Sequence, residues 1–66
     1  MKMINVSSIE VRRKPSMPSK TYLKRGTVVK VSGPPSTYKN EAWSLIETVE
    51  RPIVKGYVKS KYLKNL

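Results

Sequence analysis

This sequence predicts an all-β fold, a small barrel or sandwich of about five short antiparallel strands. Three observations predict it. Short runs rich in β-branched residues are closed off by Gly and Pro. Other short runs alternate apolar and polar residues with the two-residue period of half-buried strands. Five prolines and three glycines leave few windows long enough for a helix. The longest, residues 36–51, has a centre whose composition favours strand.

The elements follow in order. Met3-Ile4-Asn5-Val6 and Ile9-Glu10-Val11 alternate and read as the opening strands. Residues 12–20 hold two prolines and four basic residues, and strand signals flank them closely, so they read as a structured loop. Gly26-Thr27-Val28-Val29-Lys30-Val31 is a strand opened by Gly, and Gly33-Pro34-Pro35-Ser36 is expected to stop it. Residues 43–49 form the next strand, ended by Pro52, and residues 52–58 a further short one. A 3₁₀ turn fits residues 60–63. No repeat or domain boundary is visible, so residues 1–66 are expected to form a single domain.

Composition limits the chemistry. Fourteen Lys and Arg against four acids give a net charge of +10, and there is no His or Cys. Zinc sites and thiol or imidazole catalysis are therefore excluded. The acids are Glu10, Glu41, Glu47 and Glu50, and their spacing suggests neither a paired-carboxylate site nor a magnesium site. Gly26, Gly33 and Gly56 make no phosphate loop. The expectation is a protein that is not an enzyme and carries no cofactor and no metal. No signal sequence or apolar span of membrane length is seen, so the chain is expected to be cytoplasmic as synthesised. A positive charge this dense favours an acidic or polyanionic partner.

Three segments resemble the bacterial SH3-like domain family, small β-barrels often attached to cell-wall hydrolases. Residues 9–16, Ile-Glu-Val-Arg-Arg-Lys-Pro-Ser, resemble its opening Leu-Asn-Val-Arg-Ser-Gly-Pro-Ser. Residues 23–31, Leu-Lys-Arg-Gly-Thr-Val-Val-Lys-Val, are similar to its Leu-Lys-Lys-Gly-Thr-x-Val-x-Val. Residues 55–63, Lys-Gly-Tyr-Val-Lys-Ser-Lys-Tyr-Leu, resemble its closing segment and are the most specific of the three. Trp43 falls where the family has its mid-chain Trp. The resemblance implies a small SH3-like barrel spanning the chain and a non-catalytic role in binding peptide or cell-wall peptidoglycan. Lys14 departs from the family, standing where it usually has Gly. The segment after Ser16 is shorter than usual. Residues 32–42 are longer and carry two prolines. Loops of this kind place specificity in small barrels.

The candidate ligand-binding residues are Trp43, Tyr57, Tyr38, Arg12, Arg13 and Lys14. All the aromatics are Trp or Tyr, which suit surfaces half apolar and half wet. Alternation puts Trp43 and Leu45 on one strand face and Ser44 and Ile46 on the other. Composition points Trp43 and Leu45 inward, whereas the resemblance implies Trp43 outward at a groove and Ile46 in the core. Tyr38 is expected to be exposed in the long loop. Tyr57 follows Gly56, which permits close approach. Arg12, Arg13 and Lys14 form a basic loop, and guanidinium groups bind phosphate or carboxylate bidentately. Glu47 and Glu50 are expected to pair with Arg51 or Lys55.

Three functions compete. The first is an SH3-like binding module recognising peptide or peptidoglycan through an aromatic groove and a basic loop, with cell-wall association if it belongs to a lysis system. The second is a basic barrel that binds nucleic acid. The third is a standalone phage-type regulator or inhibitor docking on an acidic host protein. Exposure of Trp43 beside a basic face separates the first two from the third.

Overall fold

The computed structural model describes all 66 residues. Seven strands run in order: β1 (Lys2–Ile4), β2 (Ser8–Val11), β3 (Thr21–Lys24), β4 (Val28–Tyr38), β5 (Glu41–Thr48), β6 (Lys55–Lys59) and β7 (Leu63–Asn65), with a 3₁₀ turn at Ser60–Tyr62 before β7. The fold is all-β, as the alternation and the density of breakers predict, and every pairing is antiparallel. Strands β6-β5-β4-β1-β7 make one sheet and β2-β3 a second. A single bridge links them: Arg12 and Tyr57 exchange N–H···O bonds of 2.8 and 2.6 Å.

One face of each strand builds the core. Ile4, Ile9, Val11, Val29, Ile46 and Val58 are buried together, contributed by β1, β2, β4, β5 and β6. Leu23 of β3 and Leu63 of β7 pack against them. Each fully buried aliphatic of this kind stabilises the fold by about 1.5–3 kcal/mol. Branched side chains serve both needs here, since they favour extended backbone and fill a small core.

The strand count is seven rather than about five, because β3 and β7 carry no clear sequence signal. The β3 segment, Thr-Tyr-Leu-Lys, buries only Leu23, and that partly. The end expected at Gly33-Pro34-Pro35 also differs. Strand β4 continues to Tyr38, and its pairing with β5 shifts between Ser32 and Ser36. Ser32 lies opposite Leu45 and Ser36 opposite Trp43, so four steps along β4 match two along β5. The prolines sit in that bulge, where a missing N–H breaks no ladder bond. Two extra residues preserve the alternation of faces, so Val31 and Ile46 remain paired above it. Strands β4 and β5 then close through Lys39 and Asn40, with φ of 51° and 64°, the backbone of a two-residue type I′ turn. No helix is long and apolar enough to cross a membrane.

Candidate functional site

The face of β5 opposite the core carries Trp43, and the register of β6 sets Lys59 directly beside it. The next outward pair is Leu45 with Tyr57. Tyr57 in turn pairs with Arg12 from the end of β2. The three strands thus bring Arg12, Trp43, Tyr57 and Lys59 to one surface. Gly56 makes this junction possible. A Cβ there would lie 2.7 Å from the Arg12 carbonyl oxygen and 2.8 Å from Val11 Cγ1. Only glycine lets β2 approach β6 so closely.

Ile46 faces the core and Trp43 the opposite side, as the resemblance implies. The inward placement that composition suggests for Trp43 and Leu45 is therefore overturned. Yet Trp43 is only 3% exposed and lies outside the aliphatic core cluster. It is covered by cations: the Arg12 guanidinium carbon lies 4.8 Å from its ring centroid and Lys59 Nζ 5.8 Å. Such cation–π contacts hold long basic side chains flat over the indole.

Arg12 is fixed from several sides. Its Nη1 donates to the Pro15 carbonyl at 2.6 Å, and its Nε lies 3.1 Å from Glu10 Oε1. Glu10 also accepts the Ser19 backbone N–H at 2.7 Å. The Ser19 amide and then Arg12 hold the Glu10 carboxyl below its ordinary range, against an opposing effect of burial. The Ser19 hydroxyl donates to the Val11 carbonyl and accepts the Thr21 N–H, so this one residue ties the loop to both its strands. Residues 12–20 are thereby a structured loop, as the flanking strand signals suggest.

A groove of about 400 Å³ opens beside Trp43, walled by Arg12, Ser16, Pro18, Tyr38, Lys39, Glu41 and Lys59. Lys59 Nζ and Glu41 Oε2 are 3.3 Å apart across it, and Lys39 Nζ lies 5.5 Å from the Tyr38 ring. The buried side-chain atoms without a hydrogen bond are Arg12 Nε, Glu41 Oε2 and Trp43 Nε1, all on residues that line this groove; Trp43 and Lys59 also line a smaller pocket with Ser8, Ile9, Glu10 and Tyr62. The first two sit in ion pairs whose angles miss hydrogen-bond geometry, so their charges are compensated. Trp43 Nε1 has neither kind of partner. An indole N–H only donates, so the group that would satisfy it is an acceptor such as a carbonyl or carboxylate.

Of the candidate residues, Arg12, Tyr38 and Trp43 meet at the groove. Tyr57 stands on the same face but does not line it. Arg13 and Lys14 are exposed in the loop beyond β2 and do not line the groove. Lys14 is not among the residues with positive φ, so its backbone is unstrained. Tyr38 is half-buried at the end of β4 rather than exposed in a loop. Lys39, Glu41 and Lys59 enter the site unforeseen. Their signal lay in the hairpin register, which the prolines concealed. The ion pairs formed are Glu10–Arg12 and Glu41–Lys59, not pairs of Glu47 or Glu50 with Arg51 or Lys55. No group of three or more acidic residues could hold a metal ion. Compared with known protein families, curated proteins and solved structures, the chain matches none of them.

Proposed function

We propose that this protein is a non-catalytic binding module of the SH3-like kind, and that the Trp43 groove takes an anionic, peptide-type ligand. Peptidoglycan stem and cross-bridge peptide is the first candidate. The observation that carries the reading is Trp43 Nε1, a buried donor without a partner in a groove walled by Arg12, Lys39 and Lys59. A peptide carboxylate or carbonyl supplies the missing acceptor, and the cations supply attraction. Lys59 is a third exposed, and admitting the ligand requires it to give up its ion pair with Glu41 and its contact with the Trp43 ring.

Burial of Trp43 weakens both readings that need an open aromatic face, and it weighs more heavily against nucleic acid than against a peptide that reaches the indole N–H. Single-stranded binders stack bases on open aromatic faces, and this ring is covered. The same burial favours a second reading, docking on an acidic protein through charge rather than through an aromatic platform.

The test is co-sedimentation with purified peptidoglycan across a salt series, with Trp43→Phe alongside. Trp43→Phe gives up no hydrogen bond within the protein but shrinks a buried ring under Arg12 and Lys59, so its folding stability should fall by about 1–3 kcal/mol, and binding is compared where both proteins are folded. Binding should weaken about tenfold, as expected for the loss of a donor to a charged acceptor. Wild-type retention that vanishes at moderate salt, or equal retention by the variant, rejects the peptide-groove reading.

A further inference from the structure

Strand β3 is paired only with β2, so its second edge is free. A groove of about 610 Å³ runs along that edge. Its far wall is the turn between β5 and β6, residues 50–52, and Leu23, Val28 and Val54 supply its apolar part. It lies beyond Thr48, at the opposite end of β5 from Trp43, about 17 Å along the strand at roughly 3.3 Å per residue.

The hydrogen-bonding pattern shows which main-chain groups face this groove. Arg12 turns its N–H and C=O toward Tyr57 of β6. Alternation then directs Val11 and Ile9 toward β3, and their partners Thr21 and Leu23 back toward β2. Tyr22 and Lys24 consequently face the free edge. The Lys24 carbonyl is taken by the Thr27 N–H and hydroxyl at 3.3 and 2.9 Å. Tyr22 keeps both its N–H and its C=O for an incoming strand, and its side chain is 60% exposed above them.

The charges around the edge select the visitor. Lys24, Arg25 and Arg51 line the groove against a single acid, Glu50. Exposed Val49 and Ile53 flank the same turn. A second copy of this chain, itself carrying +10, is repelled. The geometry points to a second binding surface, independent of the Trp43 groove: the free edge of β3 accepts an extended acidic segment of a partner protein as an added antiparallel strand. Main-chain bonds at Tyr22 supply affinity. Lys24, Arg25 and Arg51 pair with acidic side chains of the segment, and its apolar side chains alternate onto Leu23 and Val54.

The experiment titrates isotope-labelled full-length protein with acetyl-Glu-Val-Glu-Val-Glu-Val-Glu-amide and follows backbone amides by NMR. The largest shifts should fall on residues 21–25 and 50–54, with slowed exchange of the Tyr22 amide. N-methylation of the central peptide Val should weaken binding about tenfold. R25E/R51E should weaken it by about the same factor through charge reversal at exposed, structurally neutral positions. Lys64→Glu, a charge reversal at an exposed residue that lines neither groove, should leave it unchanged, which separates local pairing from the overall charge. Shifts centred on Arg12, Trp43 and Lys59, equal binding of the N-methylated peptide, or no shift at millimolar peptide would each overturn the proposal. Equal protection of the Tyr22 amide by short polythymidylate would also overturn it.

Discussion

Glu10 shows how a single side chain couples loop order to solvent pH. Its carboxylate accepts the Ser19 N–H and faces Arg12, and both favour the ionised form. The folded pKa is therefore below 4.5. A lowered carboxyl pKa adds stability that is complete above the unfolded value and lost as pH falls through the folded one. The Glu10→Gln variant should accordingly be less stable than wild type near neutrality and converge on it in acid. Urea midpoints measured from neutral pH down through 4.5 check this; a constant gap across the whole range would contradict it. Gly56 makes a different single-residue demand. Gly56→Ala drives a Cβ into the Arg12 carbonyl at 2.7 Å, where backbone must move. The expected loss is about 1–3 kcal/mol by urea titration, and a neutral result would mean that β2 and β6 are not held so close. That glycine was legible in the sequence as a point of close approach, but the strand that approaches it was not.

At the scale of elements, the β4–β5 hairpin carries both the site and the largest departure from expectation. Its core half is plain in sequence, because Val29, Ile46 and Thr48 alternate onto the buried face. Its outer half is hidden, because a pair of prolines normally ends a strand and the pairing partner that absorbs them is remote in sequence. Strands β3 and β7 were obscured for a related reason: each buries so little that no apolar pattern marks it. The hairpin tip places Lys39 at φ 51°, a conformation that disfavours residues with a long side chain. Lys39→Asn should stabilise the protein by about 0.5–1 kcal/mol, since Asn tolerates the left-handed region. A urea midpoint that fails to rise would show that Lys39 compensates its strain through contact with Tyr38.

For the whole molecule, charge outweighs every other feature. A body 28 × 24 × 21 Å across carries a net charge of +10. At low ionic strength the cations repel one another across its full width, and about 0.1 M salt shortens that reach to roughly 10 Å. Adding sodium chloride from a few millimolar to about 0.2 M should therefore raise the urea midpoint while weakening any anionic ligand. A midpoint that falls with salt would mean the Glu10–Arg12 and Glu41–Lys59 pairs outweigh the repulsion. The sequence established the sign of the charge but not its use, because cation placement over Trp43 depends on the register of three strands. The bulge in β4 has a consequence for solubility as well. Strand β1 pairs with β4 only at Val28 and Val29, so residues 32–38 leave one flank uncovered. Pro34 and Pro35 supply no amide donors within that stretch, and the bulge interrupts its regular strand geometry. A foreign strand finds no ladder to extend there, and the protein can stay dispersed at high concentration while the proline-free margin of β3 stays open to a chosen visitor.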